Sequence, residues 1–258
     1  MGAERNANGG RHSARRLVSM IFSFFLTLAF IALTAVLVLQ LTLFRPSFML
    51  EQVDESTYAA EITSDVENTL VSYGMSGGFD EAFFENLLTE DEIRADLFLE
   101  VERLYDPDLP GVDIEDFRAG LYEKMCVYVT EHGETVSPEM EEALRYLTDI
   151  CTEAYGKGVA IPFSAQLSPI LVKLQKFVLP AIIALILFII VIAAFLIGIQ
   201  RFKYRAWMYV IYALTASGVF FIVLASVALN TDRFERIGIS GQGLYELVVA
   251  YMTNIFDP

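Results

Sequence analysis

The residues with the clearest capacity for chemistry lie between positions 106 and 151. In the run Asp106-Pro-Asp-Leu-Pro-Gly111, Asp106, Asp108 and Gly111 take positions 1, 3 and 6 of a calcium-binding EF-hand loop. Those positions need carboxylate oxygens and a glycine for the sharp turn. The same register puts Pro110 at position 5, Ile114 at position 9, and Phe117 at position 12, where a bidentate glutamate is required. With half of the oxygen ligands absent, the run reads as a turn followed by a helix cap. His132 sits in a turn near Glu131 and Glu134, and His12 sits in a polar N-terminal stretch. Neither has nitrogen or sulfur partners at the spacing a zinc site needs. Asp91-Glu92, Asp113 to Asp116 and Glu139 to Glu142 read as solvated helix faces. The chain has no glycine-rich phosphate loop, no GxSxG and no basic patch. We therefore expect no catalytic, cofactor-binding or metal-binding residues, no cofactor, no nucleic-acid partner and no enzymatic activity.

Cys126 and Cys151 are the two cysteines. A disulfide between them is chemically permitted outside the cytoplasm. In a simple helical hairpin, however, Cys126 lies six residues before His132 and Cys151 thirteen after Pro138. At 1.5 Å per residue this is an axial offset of about 10 Å, more than a disulfide spans. Two unpaired thiols in or near a core are the simpler arrangement, with the disulfide as the alternative.

The elements that must position these residues are set by an uneven distribution of charge. The 258-residue chain is 55% hydrophobic yet has a net charge of −15. Three stretches, 17–44, 177–199 and 206–229, contain no charged side chain. Each is long enough for the roughly 20 helical residues that cross a bilayer. Between the first and second, residues 45–176 hold 28 Asp/Glu against 9 Lys/Arg, a net charge of −19. The first stretch is far longer than the apolar region of a signal peptide and ends without a small-residue cleavage pattern, so it reads as an uncleaved anchor.

Basic residues next to short loops orient such spans, because they are retained in the cytoplasm. Arg5, Arg11, Arg15 and Arg16 precede the first span, and Arg201, Lys203 and Arg205 fill the loop before the third. Residues 1–16 are thus expected as a cytoplasmic basic tail and 200–205 as a cytoplasmic loop. Residues 45–176 become an extracytoplasmic domain, and 230–258 an extracytoplasmic C-terminal segment. There, Ser240 can cap an amphipathic helix with Leu244, Leu247, Val248, Tyr251 and Ile255 on one face.

Apolar residues in the acidic segment recur with the period of helices. Tyr58, Ile62, Val66, Leu70 and Tyr73 form one stripe, with Ser56 as its expected cap and Gly74, Gly77 and Gly78 as breakers. Thr89-Glu-Asp-Glu92 is a capping box before Ile93, Leu97, Val101 and Leu104. Asp113 can cap a helix with Phe117, Leu121, Met125 and Tyr128 on its face. Ser137-Pro138 opens another that shows Met140, Leu144, Leu147 and Cys151 to the core. No useful strand pattern occurs. The expected fold class is all-α: three transmembrane helices plus an extracytoplasmic bundle of about five helices.

The spans carry no Asp, Glu, Lys, Arg or His, and the third has only tyrosines as titratable groups, near its cytoplasmic end, which argues against an ion path or an intramembrane active site. Ala194 and Gly198 in the second span, and Ala213 and Ser217 in the third, are small residues four apart at similar depth. They are expected to pack the two helices as a tight hairpin.

The chain runs in the order of a basic start, a long span, an acidic helical domain with Thr89-Glu-Asp-Glu-Ile-Arg-Ala-Asp96, and Lys203-Tyr-Arg-Ala206 between two spans. It resembles a group of uncharacterised multi-span membrane proteins of Gram-positive bacteria. The resemblance implies a bacterial cell membrane location and supplies no activity or site residue. In that group a fourth span often follows the segment matching Leu244–Phe256. The expected partners are the lipid bilayer and a protein in the membrane or envelope. An envelope binding or sensing protein, an accessory subunit of a transporter or envelope machine, and an enzyme with an outer active site are the readings, in that order. A reporter fused after Pro258 should be active only outside the cytoplasm; activity confined to the cytoplasmic side would refute the three-crossing topology.

Overall fold

The computed structural model describes residues 2–85, 87–200 and 202–230, with side chains from Arg15 to Val227 within them. The C-terminal segment with its expected Ser240 cap, and the side chain of His12, lie outside the described residues. Nine helices are described: α1 Gly2–Leu41, α2 Pro46–Glu55, α3 Tyr58–Ser76, α4 Glu81–Phe84, α5 Glu90–Tyr105, α6 Ile114–Glu131, α7 Pro138–Val159, α8 Ser164–Ile199 and α9 Lys203–Asn230. No strand occurs among the described residues. The chain divides into two compact units. One holds α1, α8 from Lys173 onward, and α9; the other spans Arg45–Val172.

In the first unit, α1, α8 and α9 are each long and apolar enough to cross a membrane. Phe24, Leu179 and Ile222 are among many large apolar side chains exposed there, a pattern suited to lipid contact. Leu26, Ile192, Leu196 and Ala213 are buried together where the three helices meet. The expected hairpin of small residues is not formed. Ala213 and Ser217 are buried, but Ala194 and Gly198 are exposed, and a Cβ added at Gly198 would meet nothing.

The reason is rotational. On α8, Ile192, Leu196 and Gln200 recur every four residues and share a face. Ala194 and Gly198 are two residues from Leu196, about 200° around the helix. In lipid no hydrophobic gain turns the larger side chains inward; the face that meets Leu26 and Ala213 is the one carrying Ile192 and Leu196, which leaves the small residues on the opposite side. Phe195, next to Leu196, also meets Phe22 of α1, with ring centroids 4.8 Å apart. Gln200 completes the face by donating from Nε2 to Ser19 Oγ of α1 at 2.7 Å. Ala206, Ala213 and Ser217 line one face of α9, which packs on α1. There Ser23 Oγ donates to the Tyr209 carbonyl at 3.3 Å. The small residues of α9 thus admit α1 rather than α8.

In the second unit, α7 packs on α3, α5 and α6, and α5 packs on α2 and α3. Ile93, Leu97, Val101 and Leu104 of α5 are all buried. The capping box at Thr89 and Glu92 is complete, Asp113 Oδ1 accepts from Asp116 N at 3.1 Å, and Ser137 Oγ accepts from Met140 N at 3.3 Å. Two expectations change. Residues 46–55 form α2, which the sequence reading did not assign, with Pro46 at its first turn. Ser56 ends α2 and Thr57 takes the N-cap position of α3, while the Ser56 hydroxyl serves both helices, donating to the Val53 carbonyl at 3.2 Å and accepting from Tyr58 N, the first amide of α3, at 3.4 Å. Inside the bundle, Tyr155 donates to the Asp96 carboxylate and stacks on Phe117 at 4.0 Å, tying α5, α6 and α7 together.

Gly74 lies under the ring of Phe84, which is fully buried, and any Cβ there would overlap the ring. In Gly74→Ala the overpacking cost of about 1–3 kcal/mol should exceed the helix-propensity gain of about 1 kcal/mol. Thermal melting of the purified chain should therefore show a lower midpoint. Adding Phe84→Leu to Gly74→Ala should recover part of the loss; equal melting of Gly74→Ala and wild type would refute the contact.

Candidate functional site

The largest concavity described in the Arg45–Val172 unit lies where the end of α3, the following turn, the end of α6 and the first half of α7 converge. It has a volume of about 920 Å³, within the range of small-molecule sites. Two glycines shape its floor. A Cβ on Gly77 would lie 2.6 Å from Leu147 Cδ2, so α7 sits directly against the end of α3. Gly78 has φ +89, which reverses the chain into Phe79 and Asp80 in a conformation that side-chain-bearing residues rarely adopt.

An aromatic cluster fixes the wall. The buried Phe79 ring lies 5.0 Å from Phe83 and 5.2 Å from Tyr128, and Phe83 lies 5.0 Å from Tyr128. Held this way, Tyr128 donates its hydroxyl to Asp80 Oδ2 at 2.9 Å across 48 residues of sequence. Desolvation and the bond to Asp80 raise the Tyr128 pKa, so it remains a donor at neutral pH. One turn on, His132 packs its ring 4.1 Å from that of Tyr128 and places Nδ1 2.8 Å from the Tyr128 carbonyl. A carbonyl oxygen can only accept, so Nδ1 carries a proton.

Asp80, Glu134 and Glu139 line the cleft, and no lysine or arginine does. The smaller clefts of this unit differ. Lys157 accompanies Glu61 and Asp65 in one, Arg118 and Lys157 line a second, and Arg118 and Arg145 line a third. The cleft also carries exposed ring surface, since Tyr73 is 40% and Tyr146 69% exposed.

The hydroxyls of the cleft are engaged in helix structure. Ser76 donates to the Ser72 carbonyl at 3.1 Å, and Ser137 caps α7. No hydrogen bond joins a serine hydroxyl to His132 among the described residues. Nor do three His, Cys, Asp or Glu side chains converge as a metal site among the described residues. The Asp106 run forms a turn in which Asp106 Oδ1 accepts from Asp108 N at 3.3 Å.

Sequence reasoning named His132, Tyr128 and the glycine break at 77–78, but it did not join them into one wall. The cysteines are both free, so the disulfide alternative is corrected. They sit on different helices, α6 and α7, with Cys151 fully buried and Cys126 only partly so. Burial pushes the Cys151 thiol up to about 11.

The fold defines an all-α, multi-pass membrane protein with a separate helical unit. No known protein family, curated protein or solved structure matches the chain.

The thiol environments give a direct check. Since the thiolate is the nucleophile, maleimide at pH 7 should modify Cys126 well before Cys151 in the folded chain. Two thiols should become reactive on denaturation without reductant; if neither does, the cysteines are paired.

Proposed function

We propose that this chain is a cell-membrane protein with a cytoplasmic N-terminus and an extracytoplasmic Arg45–Val172 unit. It acts without catalysis, by binding a partner or ligand in the cleft between α3, α6 and α7. The orientation rests on the basic residues that flank the first span and fill the 200–205 loop. The binding role rests on one observation: a ligand-sized cleft lined by three carboxylates and no lysine or arginine, while each neighbouring cleft of the unit includes a basic side chain. The capped serines and the singly committed His132 support binding over reaction, because no activated nucleophile stands beside a base. The bacterial envelope setting suggested by the sequence resemblance is part of the same reading.

A second reading has its own support. Ala194 and Gly198 present a small, exposed face on α8, and such faces let another membrane helix approach closely. On this reading the chain is an accessory subunit whose spans pack against a transporter or envelope enzyme.

Photo-crosslinking in cells separates the two. A photoreactive residue at Tyr146 should give a discrete adduct if the cleft engages an envelope partner, and one at Gly198 should give it if the spans do. An adduct from position 198 alone would replace the first reading with the second; none from either position would refute both.

A further inference from the structure

The composition of the cleft points to the kind of ligand it takes. We infer that the α3–α6–α7 cleft binds a small organic cation, with an ammonium head held by Asp80 and the exposed rings of Tyr73 and Tyr146 offered to it. The inference rests on the proposed binding role of this cleft and adds its chemical selectivity.

Three features favour a cation over a neutral or anionic ligand. First, the lining has carboxylates and no fixed positive side chain, so its potential is negative. The −19 charge of residues 45–176 adds to it over the longer range. An anion would meet only repulsion. Second, one Asp80 oxygen is anchored by Tyr128, and the other has no partner among the described residues. The carboxylate is therefore oriented without being neutralised. Third, the exposed tyrosine rings offer the electron-rich faces that attract ammonium groups by cation–π interaction.

The same features separate an organic cation from a metal ion. Metal ions need several oxygen, nitrogen or sulfur ligands converging on one point, and no such triple occurs among the described residues. Much of the lining is apolar, including Val129, Leu147 and Ile150. This suits the alkyl body of an organic cation and gives nothing to a hydrated ion.

The test is calorimetric titration of the full chain in detergent with choline, replacing sodium chloride at constant ionic strength. Its neutral isostere, 3,3-dimethylbutan-1-ol, serves as the control. Choline should bind saturably and at least tenfold more tightly than the isostere. Asp80→Asn should weaken choline about tenfold and leave the isostere unchanged, because an asparagine Oδ1 still accepts the Tyr128 hydroxyl while the charge is gone. Tyr146→Ser changes an exposed side chain and should weaken choline while leaving the melting temperature unchanged.

Equal binding of choline and the isostere, both lost in Tyr146→Ser, would overturn the cationic selectivity and leave the binding cleft standing. Absence of saturable choline binding would overturn the inference, and crosslinking at Tyr146 would then decide the cleft separately. Choline binding unaffected by both Asp80→Asn and Tyr146→Ser would overturn the assignment to this cleft.

Discussion

A charged side chain costs several kcal/mol to remove from water, and that cost organises this chain. Its 51 charged residues lie outside the three uncharged runs, and 37 of them fall in residues 45–176. Within the spans, where no water is available to solvate the backbone, only a continuous helix satisfies every amide. The polar groups in and beside the spans find partners: Gln200, just after α8, reaches Ser19, Thr27 bonds the Ser23 carbonyl at 3.0 Å, and Ser217 bonds the Leu214 carbonyl at 2.8 Å. The acidic unit must be stable in water despite its self-repulsion. It is held by buried faces on α3, α5 and α7 and by caps at the helix starts.

The same cost explains the cleft. Among the described residues of the acidic unit, eight carboxylates lie within ion-pair distance of arginine or lysine. Arg94 contacts Asp54, Glu90 and Asp91, Arg118 contacts Glu115 and Asp149, Arg145 contacts Glu141, and Lys157 contacts Glu153. Exposed pairs like these contribute little to stability, about 0–1 kcal/mol each. Their value here is as a contrast. They show where the negative surface is compensated; Asp80, Glu134 and Glu139 are among the carboxylates that are not, and these three share one cleft. Asp80 instead accepts from a tyrosine that is itself braced by three aromatic rings. This arrangement orients a charge while keeping it available.

Local signals made much of the fold legible in the sequence. The uncharged runs mark the spans, and Thr89-Glu92, Asp113 and Ser137-Pro138 mark helix starts because a cap is a contact between residues three apart. The α2 helix escaped because Phe48, Met49 and Leu50 are consecutive and only Val53 follows them, so ten residues show no clear helical stripe. The small residues of the spans were legible as packing elements but not as partners. Both pairs satisfy the same local pattern, and only the competing Ile192–Leu196 face decides which way α8 turns. The cleft was the least legible feature. Asp80 and Tyr128 are 48 residues apart, and no periodicity within either helix states that the two will meet.

The central claim is that the acidic unit and its open cleft face the outside of the cell. The most direct measurement is labelling of Tyr146→Cys in a Cys126→Ser background with a membrane-impermeant maleimide on intact cells. An outward-facing cleft requires prompt modification of position 146 before any permeabilisation, slowed when a photo-crosslinked or cationic occupant fills the cleft. Modification seen only after the membrane is opened would place the unit in the cytoplasm and contradict the orientation on which the binding role depends.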